Sequence, residues 1–274
     1  MTNMFESIYK AAVVQMNSQK ELAANLDQAY EYIYKAAKKG ALLVGLPENF
    51  AFLGGLTMRI KNADKIAEQA PRFLADTAAE LNVYLIGGSY PVPVSEGKVY
   101  NHATLYSPDG NVLLDYNKIH LFDVDLSESE AYRESDYVVP GTLSPSVYGD
   151  EVIGTWGLSV CYDLRFPEHY RKLVEEGAEV LSIPSAFTYT TGRDHWETLL
   201  RARAIENTSY VFAPAQTGRH GKNRKTWGHA MIIDPWGQII ADAGSEPGVE
   251  FAEIDPDRIK EVRTQIPSLK HRRW

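Results

Sequence analysis

Gly157-Leu158-Ser159-Val160-Cys161-Tyr162-Asp163-Leu164-Arg165-Phe166-Pro167-Glu168 holds the only cysteine of the 274-residue chain. Small and apolar residues lead up to Cys161 and predict a buried strand. Pro167 suits a first helical position, and Glu168 suits the positive end of a helix. Cys161 is therefore expected where a strand ends and a helix is about to begin. There the helix dipole and free backbone N–H groups favour thiolate, the state of a nucleophile. A lone cysteine also reads as a small buried hydrophobe, and this stretch by itself leaves both readings open.

Working outward, residues 147–153 and 155–160 read as the strand pair that delivers Cys161. A helix over 167–176 closes at Gly177, and a strand over 180–183 follows. Upstream, 11–16 and 41–46 are apolar throughout, which suits strands buried on both faces. Between them, 19–39 repeats apolar residues at helical spacing. The second of these strands ends at Pro47-Glu48-Asn49. Residues 50–60, with Gly54-Gly55, read as a loop, 71–81 as a helix and 83–88 as a strand. Strands over 99–107 and 111–116 flank Pro108-Asp109-Gly110, a hairpin signal, and the second arm runs into Asn117-Lys118-Ile119-His120. Residues 121–140 form a long acidic loop, a length expected of functional or flexible segments.

Downstream, 193–207 reads as a helix and 210–215 as one strand. A second hairpin turns at Pro235-Trp236-Gly237, and a strand over 249–254 and a helix over 257–265 finish the pattern. Alternating strands and helices with added hairpins predict an α/β layered fold with mixed sheets. No repeat, low-complexity run or Pro/Gly/Ser linker interrupts it, so one domain over residues 1–274 is expected.

The hydrophobic fraction of 44% allows a sizeable core. One cysteine excludes an internal disulfide and is compatible with a reducing compartment. The net charge of −8 argues against nucleic acid as a partner. Residues 1–10 carry no long apolar run, and no segment is long enough to span a membrane, so a cytoplasmic protein is expected. The histidines show no metal-binding spacing, and no phosphate-cradling glycine loop occurs. No metal and no cofactor are expected.

Glu48, Lys118 and Cys161 each lie just past an apolar strand. Ligands of open α/β sheets bind outside the carboxyl ends of strands, so neighbouring strands would bring the three together. A carboxylate there can take the thiol proton, and a lysine can brace it and stabilise an oxyanion. A different thiol hydrolase, with His120 as the base, is the competing reading, and a binding protein without turnover is a third.

The chain resembles the nitrilase, or carbon–nitrogen hydrolase, superfamily. The matching segments are Leu46-Pro47-Glu48-Asn49, Tyr116-Asn117-Lys118-Ile119-His120-Leu121-Phe122-Asp123 and the Cys161 stretch, with Trp227-Gly228-His229-Ala230 and Asp234-Pro235-Trp236-Gly237 further on. The resemblance implies an α-β-β-α sandwich and a Glu-Lys-Cys triad acting through a cysteine thioester. It implies Glu48 as general base, Cys161 as nucleophile, Lys118 as stabiliser and the Tyr162 backbone N–H as oxyanion donor. It also implies a second glutamate, for which Glu134 is the best match and Glu128 and Glu130 are neighbours in the same loop.

Residues 187–192, His195-Trp196-Glu197 and 200–207 resemble the branch of deaminated glutathione amidases and omega-amidases, whose substrates are small 2-oxo acid amides. Phe187-Thr188 is closer to the former. Both residues are expected to touch substrate from a loop running to Trp196. Asp194 departs from the alanine common there. Arg165 reads either as a carboxylate ligand or as a partner of Asp163 or Glu168 that braces the turn, and the Arg219 to Arg224 stretch offers another arginine. The resemblance implies a homodimer or larger homo-oligomer.

Overall fold

A computed structural model describes residues 5, 7–95, 97–128, 130–221 and 224–273. The reading of residues 1–10 as free of a leader lies partly outside the described residues.

The chain first lays down β1 (Tyr9–Met16), α1 (Leu22–Lys38), β2 (Leu43–Gly45), α2 (Leu56–Lys61), α3 (Ala63–Leu81), β3 (Tyr84–Ile86), β4 (Tyr90–Pro93), β5 (Val99–Tyr106) and β6 (Val112–Asn117). A small hairpin follows, β7 (Asp123–Ser127) with β8 (Glu130–Arg133). Next come β9 (Val147–Asp150), β10 (Gly154–Leu158), α4 (Pro167–Glu175), β11 (Val180–Ser182), α5 (Tyr189–Asn207) and β12 (Tyr210–Ala213). The remainder is β13 (Ala215–His220), β14 (Arg224–Trp227), β15 (Met231–Ile233), β16 (Ile239–Asp242), β17 (Gly248–Ile254), α6 (Pro256–Gln265) and α7 (Ser268–His271).

Two mixed sheets result. The nine-stranded sheet runs β14-β13-β1-β2-β3-β5-β4, with β17 also on β1 and β6 on β5. The six-stranded sheet runs β16-β15-β12-β11-β10-β9. In β1, Ala11 and Val13 face the second sheet, while Ala12 and Val14 face the helical layer with Ile33 of α1 and Leu74 of α3. The period of two is invisible in the composition because both faces are buried, so the run is apolar throughout. Each large side chain fully buried this way contributes roughly 1.5–3 kcal/mol. Gly45 of β2 lies under the Phe212 ring of β12, and any side chain there would collide with it. With α4 and α5 outside the second sheet, the layers are α-β-β-α.

Several expectations change. Residues 56–61 form a helix rather than a loop, and α3 starts at Ala63, not Pro71. Pro71 sits inside α3 because Ala63, Ile66, Ala70 and Leu74 bury one continuous stripe, which outweighs one missing hydrogen bond. Residues 210–215 are two strands in different sheets, parted by Pro214, which donates no ladder hydrogen bond. The strand β4 escaped the sequence reading because of Pro91 and Pro93, which an edge strand tolerates. The acidic loop contains the β7/β8 hairpin, pinned by a two-pronged Arg133–Asp125 pair at 2.6 and 2.8 Å.

Candidate active site

Glu48 follows β2, Lys118 follows β6 and Cys161 follows β10, and the two sheets bring these ends to one cleft. Glu48 is 3% exposed, Lys118 1%, Cys161 8% and Glu134 8%. Lys118 Nζ donates to Glu48 Oε1 at 3.3 Å and to Glu134 Oε2 at 2.7 Å. The backbone N–H of Phe122 also donates to Glu134 Oε2, at 2.7 Å. The Ala186 N–H, at the end of the loop after β11, donates to Glu48 Oε2 at 2.9 Å. The Cys161 thiol and the Glu48 carboxylate share the cleft wall and shift each other's titration.

Of the three glutamates in residues 121–140 named above, only Glu134 reaches Lys118. Glu128 is exposed, and Glu130 accepts from Tyr132 and Thr190 instead.

The sequence reading missed Asn101. Its Nδ2 bridges the two carboxylates, at 2.9 Å to Glu48 Oε1 and 3.4 Å to Glu134 Oε1. The signal was a lone polar residue on the inward face of β5, between Val99 and Ala103. Arg59 was missed as well, because it lies in the segment read as loop. It is 4% exposed, and its NH1 donates to Asn49 Oδ1 at 2.7 Å.

The nucleophile turn is held from behind. Cys161 has φ of +51°, a left-handed conformation that costs a non-glycine residue roughly 1–3 kcal/mol. Its N–H donates to Pro184 O at 3.0 Å. Asp163 is fully buried and accepts from the Val160 N–H at 2.8 Å, the Tyr116 hydroxyl at 2.8 Å and the His120 N–H at 3.0 Å. His120 Nδ1 lies 2.7 Å from Asp163 Oδ1, and the imidazole stacks on Phe166. His120 therefore braces the turn and is not a wall of the cleft.

The expectation of a thiolate fails. The turn after Cys161 is a short 3-10 segment, and α4 begins only at Pro167. Burial, and then the Glu48 charge, push the Cys161 thiol well up, and Lys118 and the Ala186 N–H offset this only in part. Burial acts on Glu48 in the same sense, but Lys118, Arg224, the Cys161 thiol and the Asn101 hydrogen bond hold its carboxyl below the usual glutamate range. Burial would discharge Lys118, yet Glu134 and Glu48 raise it far above an ordinary lysine. The resting arrangement is a neutral thiol against a carboxylate, with a firmly charged ammonium beside both. Such a set can move a proton from sulfur to oxygen and stabilise negative charge on a carbonyl oxygen.

Aromatic and hydroxyl side chains form the other wall. Phe122, Tyr162 and Phe187 line the cleft, with Phe187 packed on Trp196 at a ring distance of 4.9 Å. Thr188 is not in a loop but is the N-cap of α5, and its hydroxyl is 2.8 Å from that of Thr191. Thr190 turns away to Glu130, and Asp194 pairs with Arg193 at the surface. Arg165 makes neither expected ion pair among the described residues. It lies over the Tyr162 and Phe187 rings and donates to His195 Nδ1 at 3.3 Å. The arginine of the 219–224 stretch that does reach the cleft is Arg224. No group of three metal-binding side chains occurs among the described residues. None of their helices is long and apolar enough to cross a membrane.

Known proteins are similar to this chain in sequence and in fold. Over 266 residues, covering 96% of this chain and 98% of the relative, the chain is 54% identical to a deaminated glutathione amidase from Synechocystis sp. (strain PCC 6803 / GT-S). It is 39% identical to an omega-amidase from Mus musculus, over 97% of this chain and 96% of that one. A crystal structure of a nitrilase-superfamily member from Saccharomyces cerevisiae superposes with a TM-score of 0.88 at 30% identity, covering 98% of both chains. The sequence pattern described as carbon-nitrogen hydrolase matches residues 10–264 and so takes in every side chain of the cleft. With fold and sequence agreeing over nearly the whole length, the chain belongs to the carbon–nitrogen hydrolase family.

Proposed function

We propose that this protein is an amidase that cleaves the amide of a small 2-oxo acid derivative, deaminated glutathione above all, through a thioester on Cys161. The observation that carries the reading is the burial of Glu48, Lys118 and Cys161 in one cleft, with Lys118 Nζ donating to the Glu48 carboxylate at 3.3 Å. Glu48 takes the thiol proton as sulfur attacks the amide carbon. The oxyanion is held by Lys118 Nζ and the Tyr162 N–H. Glu48 returns the proton to the departing amine, and the C–N bond breaks to leave the thioester. A water then gives its proton to Glu48 and attacks the thioester carbon. Loss of the thiol, reprotonated by Glu48, releases the acid. Glu134 keeps Lys118 charged and aimed.

The 54% identical relative supports deaminated glutathione as substrate, and the 39% identical one supports 2-oxoglutaramate as the alternative. Comparing kcat/KM for deaminated glutathione, 2-oxoglutaramate, glutamine and an aromatic nitrile tests the choice. The first should be preferred. A preference for 2-oxoglutaramate makes the protein an omega-amidase, and a preference for the nitrile overturns the amidase reading.

The same reading places the enzyme in the cytoplasm, in keeping with its single free thiol. It also makes the enzyme a homodimer or larger, for which exposed Ile205, Trp236 and Ile266 offer apolar surface.

A further inference from the structure

We propose that Arg59 and Arg224 form a carboxylate subsite for the leaving half of the substrate, so that the site is built for amines that carry their own carboxylate. Both arginines line the Cys161 cleft. Arg59 uses one nitrogen on Asn49, while its Nε and NH2 are buried without a hydrogen-bond partner among the described residues. Arg224 uses NH2 on Ala186 O at 3.2 Å, and its Nε is likewise buried and unpartnered. One buried and one half-buried guanidinium, each with free donors, match the two-pronged geometry of a carboxylate.

Charge points the same way. With Cys161 neutral, the carboxylates of Glu48 and Glu134 face the cations of Lys118, Arg59 and Arg224. Lys118 already engages both carboxylates, and Arg133, also in the wall, is paired with Asp125. One positive charge is left over in a buried site, and buried charge is strongly unfavourable unless paired. A substrate anion supplies the partner.

Position assigns that anion to the leaving half. Glu48 must hand a proton to the departing nitrogen, and both arginines sit against its surroundings: Arg59 donates to the next residue, Asn49, and Arg224 to the carbonyl of Ala186, whose N–H donates to Glu48. Arg224 and Tyr132 also border a second, wider cleft beside the first, flanked by Gln19 and Met58. A dipeptide leaving group extends past Arg224 into it, whereas ammonia leaves it unused. Glu130 borders that cleft too, but its oxygens are occupied by Tyr132 and Thr190.

The proposal rests on the 2-oxo acid amide reading, and its test separates the two. Deaminated glutathione is compared with the N-methylamide of the same 2-oxo acid, in wild type, Arg224→Gln, Arg59→Gln and Arg59→Lys. Wild type should favour the carboxylated substrate roughly 10–100-fold, the scale of a charged hydrogen-bonded pair. Either Gln variant should collapse that ratio through KM, with Arg59→Lys keeping part of it. Arg59 also braces Asn49, so Arg224→Gln, in a half-buried residue, decides the matter if Arg59→Gln fails to fold. Equal losses on both substrates, or a ratio that survives both Gln variants, overturn the subsite. A wild type idle on both amides sinks the substrate reading instead. In that event, protection of Cys161 from iodoacetamide by cysteinylglycine in wild type, lost in Arg224→Gln, upholds the subsite, and absence of protection overturns it.

Discussion

Two strands, one from each sheet, end in the same way. After β2 the chain turns at Glu48 and Asn49, and Asn49 has φ of +57°. After β10 it turns at Cys161, with φ of +51°. Both ends are buried, yet their acids go opposite ways: the Glu48 carboxyl is held low and the Cys161 thiol is driven up. Burial is the same for both, so partners decide. Glu48 has Lys118, Asn101 and the Ala186 N–H, whereas Cys161 faces the charge of Glu48 itself. The proton is therefore parked on sulfur, in the same cleft as the group that removes it.

The largest break in this comparison is to remove the sulfur. Cys161→Ala is expected to lower kcat at least roughly 10⁴-fold while leaving the unfolding transition in place, because no other side chain can form the covalent intermediate. Single-turnover kinetics with circular dichroism checks both halves. Next is the shared cation. Lys118→Met should lower kcat roughly 10²–10³-fold through the lost oxyanion partner. It should also destabilise the fold by roughly 3–5 kcal/mol in urea titrations, because Glu48 and Glu134 lose the ammonium that pairs with both in a buried site. Catalytic loss without loss of stability would mean that the two carboxylates do not depend on Lys118.

Glu134→Gln sharpens the picture at smaller scale. One of the two charges on Lys118 goes while a hydrogen-bond acceptor stays, so about a tenfold drop in kcat is expected. Glu128→Gln should stay within about twofold, and equal drops would trace the effect to loop charge. The smallest effect is on acid stability. A carboxyl held low in the folded state contributes stability that is present above its ordinary value, about 4.3 for glutamate, and is lost as pH falls through the folded value. Glu48→Gln should therefore weaken the fall of stability at acid pH, as read from urea midpoints between about pH 3 and 6.

The triad positions were legible because each polar residue interrupts or ends an apolar run, and a strand end is where a side chain escapes the core. A layered α/β fold was legible from the unbroken apolar runs of β1 and β2 joined by a helix, while the two-sheet sandwich was implied only by the family resemblance. Pro214 hid the passage from β12 to β13, since a single proline within an apolar run marks a break but not a change of sheet. Pro71 misled in the other direction by mimicking a helix start. Asn101 and Arg59 matter only through what lies opposite them in space, and adjacency in sequence carries no trace of that. The thiol was misread for the same reason: the helix start at Pro167 was read correctly, but its separation from Cys161 and the charge of Glu48 beside the thiol are facts of packing.

The state of that thiol is the centre of the account, and the pH dependence of Cys161 alkylation by iodoacetamide reports it directly. A neutral, buried thiol under a carboxylate predicts a rate that is still rising above about pH 9, beyond the ordinary cysteine value of about 8.5. It also predicts that Glu48→Gln, which removes the raising charge, shifts the curve to lower pH. A wild-type rate that levels off below about pH 8 would mean a resting thiolate and would contradict the account.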